Sequence, residues 1–262
     1  MRDRVLYHAI HRVLYPESDK GFINDSYSCR VGKGTHRGVR RLEEFIRKES
    51  KNYIKQVCVL KCDIKKFFDS IDHDILLSFL KEKIHDEGLI RLLEIVIRDF
   101  EKTRGKGMPL GNLTSQLFAN IYMNEFDWFI KEKLKIKFYI RYCDDFVIVS
   151  EDQRKLEEIL PTLSNFLSTE LELGLHPNKI SIRKLNQGID FLGYVILPNR
   201  IVMRTKTKKR FLKKSKKLLK TIKENRISRE KAKRTLTSYL GHISHTKSYK
   251  LKLALLDVDD AV

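Results

Sequence analysis

Hydrophobic positions recur every three to four residues over most of this chain, which predicts amphipathic helices. Leu42, Phe45 and Ile46 share one such face, and a longer stripe runs from Leu156 to Leu167. Predicted helices cover residues 1–20, 38–52, 73–83, 89–100, 113–133, 152–173, 206–225 and 228–240, with a shorter one from about 247. The long helices leave a few short segments of different pattern between them.

Those short segments are rich in β-branched and aromatic residues and predict strands. Residues 56–64 are apolar enough for a central strand, and residues 137–149 predict a tight hairpin. A loop leads into a strand over 175–182, and 191–196 pairs with 201–203 around a turn at Pro198 and Asn199.

Two adjacent acids, Asp144 and Asp145, lie at the tip of the hairpin predicted over 137–149. Like charges at one turn repel, so a cation is expected there, and Mg²⁺ binds through one or two carboxylates plus substrate phosphates. A solvated polar turn is the alternative. Asp63 ends the apolar strand and points to the same kind of cleft; Asp69 and Asp72 are better placed to cap the next helix.

Two further segments, a basic loop and a helix face, could bind substrate or could have a purely structural role. Two glycines flank Lys33, with Arg30 and Arg37 on either side, in a flexible basic hairpin or loop that could close on phosphates, or could be a solvated turn. On the helix 113–133, small and amide residues share faces at i,i+4 spacing. These faces could approach a base pair or pack another helix; they carry Ser115, Ala119, Gln116 and Asn120.

Composition indicates a globular chain of 262 residues with 42% hydrophobic residues. The four cysteines fit no zinc spacing and predict reduced thiols, and no segment is apolar enough to span a membrane, so a cytoplasmic protein is expected. The net charge is +19, and residues 200–252 carry 20 Lys and Arg against two acids. One amphipathic basic block on a near-neutral body is typical of nucleic-acid backbone binding.

Five motifs, in order, resemble those of reverse transcriptases over nearly the whole chain. Residues 62–71 (CDIKKFFDSI) are similar to the first catalytic motif, and 109–120 (PLGNLTSQLFAN) to the motif that contacts template and nucleotide. Residues 142–145 (YCDD) resemble the Tyr-x-Asp-Asp box. Residues 176–179 (HPNK) and 191–194 (FLGY) resemble the lysine and primer-grip motifs.

The resemblance implies an α+β right-hand polymerase with an antiparallel palm sheet packed on helices. Fingers are expected at 1–52 and 85–106, palm at 53–84 and 107–203, and a basic helical thumb at 204–262. Two Mg²⁺ ions, with Mn²⁺ as a possible substitute, would be held by Asp63, Asp144, Asp145 and the Ile64 carbonyl. Lys179 would protonate pyrophosphate. Nucleotide contacts are expected from Arg30 (preferred over Lys33), Lys33, Phe68 as steric gate, Leu110 and Gln116, and a primer grip from Phe191, Leu192 and Gly193.

Leu110 and Gln116 replace the Gln and Pro usual in bacterial relatives, a pattern similar to reverse transcriptases of diversity-generating retroelements. That subtype implies error-prone copying of a template-repeat RNA at adenines, mutagenic retrohoming into a variable gene, and a small basic pentameric accessory protein. Its other partners would be RNA template, DNA or RNA primer and dNTPs, in a bacterial or phage-infected cell. Alternatives are another bacterial reverse transcriptase, for phage defence or related to group II introns, and a catalytically idle RNA-binding scaffold.

Overall fold

The computed structural model describes residues 2–224 and 227–248, which form two compact units. The first unit ends at Ile182 and the second begins at Arg183. The helix predicted from about 247 lies almost entirely outside the described residues. The basic helices predicted at 206–225 and 228–240 belong to the second unit, together with the hairpin assigned to the palm; the fingers, palm and thumb boundaries stay a prediction.

Helices form at the positions that the apolar periodicity predicts. Side chains of Asp72, Asp86, Asn112 and Asp152 cap the first turns of four of them, each cap contributing about 1 kcal/mol. The first unit contains α1 (Arg2–Lys20), α2 (Thr35–Glu49), α3 (Phe67–Ser70), α4 (His73–Lys83), α5 (Glu87–Arg98), α6 (Leu113–Trp128), which continues as a π-helical turn (Phe129–Lys133), and α7 (Gln153–Glu170). The second contains α8 (Thr205–Lys223) and α9 (Arg229–Ile243).

Four strands form a sheet of order β2-β3-β1-β4. They are β1 (Cys58–Asp63), β2 (Tyr139–Tyr142), β3 (Asp145–Ser150) and β4 (Ser181–Lys184). β3 pairs antiparallel with both β2 and β1, so it is central. A smaller antiparallel sheet in the second unit contains β5 (Ile189–Phe191), β6 (Tyr194–Leu197) and β7 (Arg200–Met203).

Helix α6 is the centre of the first unit, because most of its residues, apolar and polar, are buried. Phe126 of α6 packs edge-on against Phe146 of β3, with ring centroids 5.1 Å apart. Ser115, Ala119 and Asn120 are buried as well, so the helix-packing alternative is correct for these three residues. The sheet that carries the paired acids therefore packs against the buried helix α6.

Two predicted segments differ from the structure. Residues 191–196 do not form one strand, because Leu192 and Gly193 both have positive φ (49° and 88°) and make a turn between β5 and β6. Residues 21–34 form the loop of the two predicted alternatives, hairpin or loop, with hydrogen bonds inside it, and α2 begins at Thr35 instead of 38. The turn predicted at Pro198 and Asn199 does connect β6 to β7.

The structure also bears on the predictions for the cysteines and for membrane-spanning segments. The four cysteines, all within the described residues, form no disulfide bond. Within residues 2–224 and 227–248, no helix combines the length and the apolar character needed to cross a bilayer.

Candidate active site

The paired acids lie at a two-residue turn, where the sequence placed them. Tyr142 and Asp145 are the last paired residues of β2 and β3, so Cys143 and Asp144 form the connection. Cys143 has a φ of 58°, in the left-handed region that such tight hairpin turns require. The sharp turn brings Asp144 and Asp145 to the same end of the sheet.

Asp63 is brought to that same end by β1. It is the direct cross-strand partner of Asp145, and side chains in this relation have Cβ atoms about 5 Å apart. The amide of Ile64 donates to the carbonyl of Asp144 at 3.3 Å, which ties the turn to the end of β1. Three carboxylates from two strands and one turn thus converge.

Two lysines offset part of this negative charge. Lys179 Nζ lies 2.8 and 2.9 Å from the two oxygens of Asp63, and Lys61 Nζ lies 3.5 Å from Asp145 Oδ1. The contact with Asp63 raises the pKa of Lys179, so this amine is protonated at neutral pH. Sequence reasoning missed Lys61, although its position two residues before Asp63 on a strand places both side chains on one face.

Asp144 forms no ion pair within the described part of the chain. Burial, and then repulsion from Asp63 and Asp145, raise its pKa above the ordinary value. Burial likewise raises the pKa of Asp145, and Lys61 opposes that effect. The raised pKa values mean that the nearby lysines do not fully compensate for the burial and mutual repulsion of the ionised carboxylates.

A divalent metal fits this donor set. Among the described residues, no three Asp, Glu, His or Cys side chains are close enough to hold an ion unaided. Hard carboxylate oxygens suit Mg²⁺ or Mn²⁺, and Mg²⁺ sites of this kind are completed by substrate phosphates and water. The unneutralised Asp144 carboxylate beside Asp63 is the feature that such an ion would relieve.

Arg30, the preferred triphosphate contact, makes its hydrogen bonds inside the protein. Its side chain is 6% exposed; Nε donates to Asp19 Oδ1 at 2.6 Å and Nη1 donates to the Ile23 carbonyl at 2.6 Å. The guanidinium joins the end of α1 to the loop that follows. Lys33 is partly exposed, and its Nζ donates to Asn24. The geometry therefore favours Lys33 over Arg30, the reverse of the preference from sequence.

Leu110 and Gln116 share one open cavity of about 570 Å³ at the start of α6. Leu110 is 75% exposed, unusual for a leucine, and residues of α1, Arg4, Tyr7 and His8, line the cavity with them. Phe68, on α3, is half-buried beside buried Phe67, with ring centroids 5.3 Å apart. These residues stay predicted nucleotide contacts.

The predicted primer-grip residues and the basic helices lie in the second unit. Phe191 is fully buried, so only Leu192 and Gly193, at the β5–β6 turn, offer surface for a primer. Helices α8 and α9 pack through stacked Phe211 and Tyr239, 4.5 Å apart. Exposed lysines on one side of α8 form a basic face, defined by Lys206, Lys209, Lys213, Lys214, Lys217 and Lys220.

Known proteins are similar in sequence to this chain. "Protein YkfC" of Escherichia coli is 24% identical, covering 76% of this chain and 62% of that protein. The group II intron-encoded protein LtrA of Lactococcus lactis is 24% identical, covering 83% of this chain and 47% of its own length. The chain therefore spans less than two thirds of either relative.

Solved telomerase structures show the same fold. One, from Candida tropicalis with a fragment of telomeric RNA, has a TM-score of 0.60 at 15% identity, covering 95% of this chain and 45% of that one. The predicted α+β polymerase fold is confirmed. The family model for reverse transcriptase (RNA-dependent DNA polymerase) matches residues 1–196, three quarters of the sequence, and the chain belongs to the reverse transcriptase family.

Proposed function

We propose that the protein is an RNA-directed DNA polymerase that makes cDNA by nucleotidyl transfer with two divalent metal ions. The convergence of Asp63, Asp144 and Asp145 at one end of the sheet carries this proposal. Mg²⁺ ions held by these carboxylates would lower the pKa of the primer 3′-hydroxyl and neutralise the triphosphate.

The chain's own residues would bind and orient the reactants. Asp63, Asp144, Asp145 and the Ile64 carbonyl provide the oxygen ligands. Lys179 is protonated where it contacts Asp63, and after leaving Asp63, which removes the contact that raises its pKa, it can supply that proton to the departing pyrophosphate. Little covalent work falls on the protein, and positioning and charge stabilisation dominate catalysis.

Exposed and charged residues indicate which side chains would contact the substrates. Lys33 is the favoured triphosphate contact, with Phe68, Leu110 and Gln116 around the nucleotide and Leu192 and Gly193 at the primer end. The basic face of α8 would bind the phosphates of template and primer without regard to sequence, so affinity should fall steeply with salt. RNA specificity would then require further contacts.

Primer extension on a defined RNA template with Mg²⁺ tests the activity. We expect extension that depends on dNTPs and that a chelator of Mg²⁺ abolishes. The protein should also extend primers on templates of unrelated sequence. Absence of extension, with and without an accessory protein, would favour the idle RNA-binding scaffold instead. Binding of the same duplex, measured in parallel, separates a catalytic failure from failure to bind.

We further propose that the enzyme belongs to a diversity-generating retroelement. Leu110 supports this subtype, because the glutamine usual at this position can hydrogen-bond near the nascent pair and leucine cannot. The enzyme would copy a template-repeat RNA with errors at adenines, for mutagenic retrohoming into a variable gene, together with a small basic pentameric accessory protein. A template repeat, a variable repeat and an accessory gene beside its coding sequence would support the subtype.

Replacing Leu110 by glutamine is expected to lower misincorporation opposite template adenine roughly tenfold, because a restored polar contact discriminates better than an apolar one. Sequencing cDNA made by parent and Leu110→Gln on one RNA template measures it. Ile95→Gln, at an exposed apolar residue of α5 that does not line the cavity, is the matched control and should leave the error spectrum unchanged. Equal error rates at adenine in parent and Leu110→Gln would contradict the role of Leu110.

A group II intron-related reverse transcriptase is the second candidate. The likeness to the intron-encoded protein LtrA favours it. An intron surrounding the coding sequence, and accurate copying at adenines, would support this candidate over the retroelement.

A further inference from the structure

Arg141 is a charged residue enclosed completely in the first unit. Its side chain and that of Asp127 are both 0% exposed, and they form a two-point ion pair: Nε to Oδ1 at 2.7 Å and Nη2 to Oδ2 at 2.6 Å. A buried ion pair seldom stabilises a protein more than apolar residues of the same volume would. Stability alone therefore does not explain this buried ion pair.

The remaining nitrogen of Arg141 reaches the turn that carries Asp144. Nη1 donates to the carbonyl of Cys143 at 3.0 Å and to Asn120 Oδ1 at 3.2 Å. That carbonyl belongs to the peptide bond between Cys143 and Asp144. Because the peptide is planar, fixing its oxygen also fixes the direction in which the chain enters Asp144.

The same arginine is tied to the loop before α2. Its amide donates to the carbonyl of Asp25 at 3.0 Å, and its carbonyl accepts from the amide of Tyr27 at 2.9 Å. Asn120, which accepts from the guanidinium, donates to the carbonyl of Ser28 at 2.9 Å. Arg141 thus contacts this loop through its backbone, and helix α6 and the Cys143–Asp144 turn through its side chain.

We propose that Arg141 is a positioning residue: its guanidinium, aligned by Asp127, orients the Cys143–Asp144 peptide so that the Asp144 carboxylate can share a divalent metal with Asp63. The catalytic consequence rests on the proposed function, but the effect on metal binding does not. Groups that orient metal ligands in this way typically change metal affinity 10- to 100-fold.

The main test replaces the ion pair by apolar residues, Arg141→Met with Asp127→Leu. Similar volume and no orphaned charge favour retention of the fold, which thermal unfolding checks. Mn²⁺ binding to the full chain without nucleotide is measured by electron paramagnetic resonance, with Asp144→Asn defining the binding that depends on this turn. We expect the double variant to bind Mn²⁺ roughly 10- to 100-fold more weakly.

Tyr139→Phe is the matched control. The Tyr139 hydroxyl donates to Asp127 Oδ1 at 2.6 Å, in the same network but with no bond to the turn. Its removal should leave Mn²⁺ affinity unchanged. If the double variant does not fold, Asn120→Ala serves: it keeps the ion pair, removes one acceptor that holds Nη1, and should weaken Mn²⁺ binding about fivefold, the equivalent of one hydrogen bond.

Parent-like Mn²⁺ affinity in a folded double variant, or equal weakening by Tyr139→Phe, would overturn the proposal, as would a parent with no Asp144-dependent binding. Primer extension is measured separately. A rise in the Mn²⁺ concentration for half-maximal rate, with duplex affinity unchanged, is expected. A parent that binds Mn²⁺ but extends nothing would refute the polymerase and leave the role of Arg141 standing.

Discussion

Asparagine at position 144 is expected to slow primer extension about a thousandfold while leaving the fold at least as stable as the parent. The amide keeps the size of the side chain but removes one metal-binding carboxylate, and loss of about 4 kcal/mol of charge stabilisation slows the reaction about a thousandfold. Rates on an RNA template with saturating Mg²⁺ measure the effect. Asp74→Asn, at a carboxylate 79% exposed on α4, is the control and should extend normally.

The same substitution should change stability with a defined pH dependence. Because the pKa of Asp144 is raised in the folded protein, its ionised form costs folding free energy above that pKa, and protonation at lower pH removes the cost. Asp144→Asn should therefore melt higher than the parent at pH 7 without metal. The difference should shrink as pH falls through the raised pKa. Thermal unfolding in chelator at several pH values measures it, and a variant that melts lower at pH 7 would contradict the repulsion.

The Cys143–Asp144 turn was predictable because the residues that determine it are its neighbours in the sequence. Alternating apolar residues on both sides of Asp144 and Asp145 set the strand register, and a one-residue slip would bury the wrong face. Asp63 follows from the apolar run before it. The sequence could not show that Lys179 binds Asp63, because 116 residues separate them and only the sheet brings them together.

Arg30 and Arg141 were harder to interpret because charged residues are normally exposed. Each is enclosed only because the fold supplies a carboxylate, Asp19 for Arg30 and Asp127 for Arg141. The split of 191–196 into two strands was hidden for another reason. Leucine seldom adopts a positive φ, so Leu192 argued for a continuous strand, and only Gly193 hinted at the turn.

Valine at position 68 is expected to admit ribonucleotides, raising the efficiency of ATP relative to dATP by about 100-fold, since a missing apolar group in a pocket changes discrimination by 10- to 200-fold. Phe68 lies five residues after Asp63, and the Met108 amide donates to its carbonyl at 2.7 Å, so the backbone that carries the ring is fixed. Single-nucleotide kcat/KM opposite template uridine measures the ratio. Phe67→Leu, at the buried neighbour, should lower stability and leave sugar selectivity intact. Parent-like selectivity in Phe68→Val would mean that the ribose 2′-hydroxyl meets another side chain.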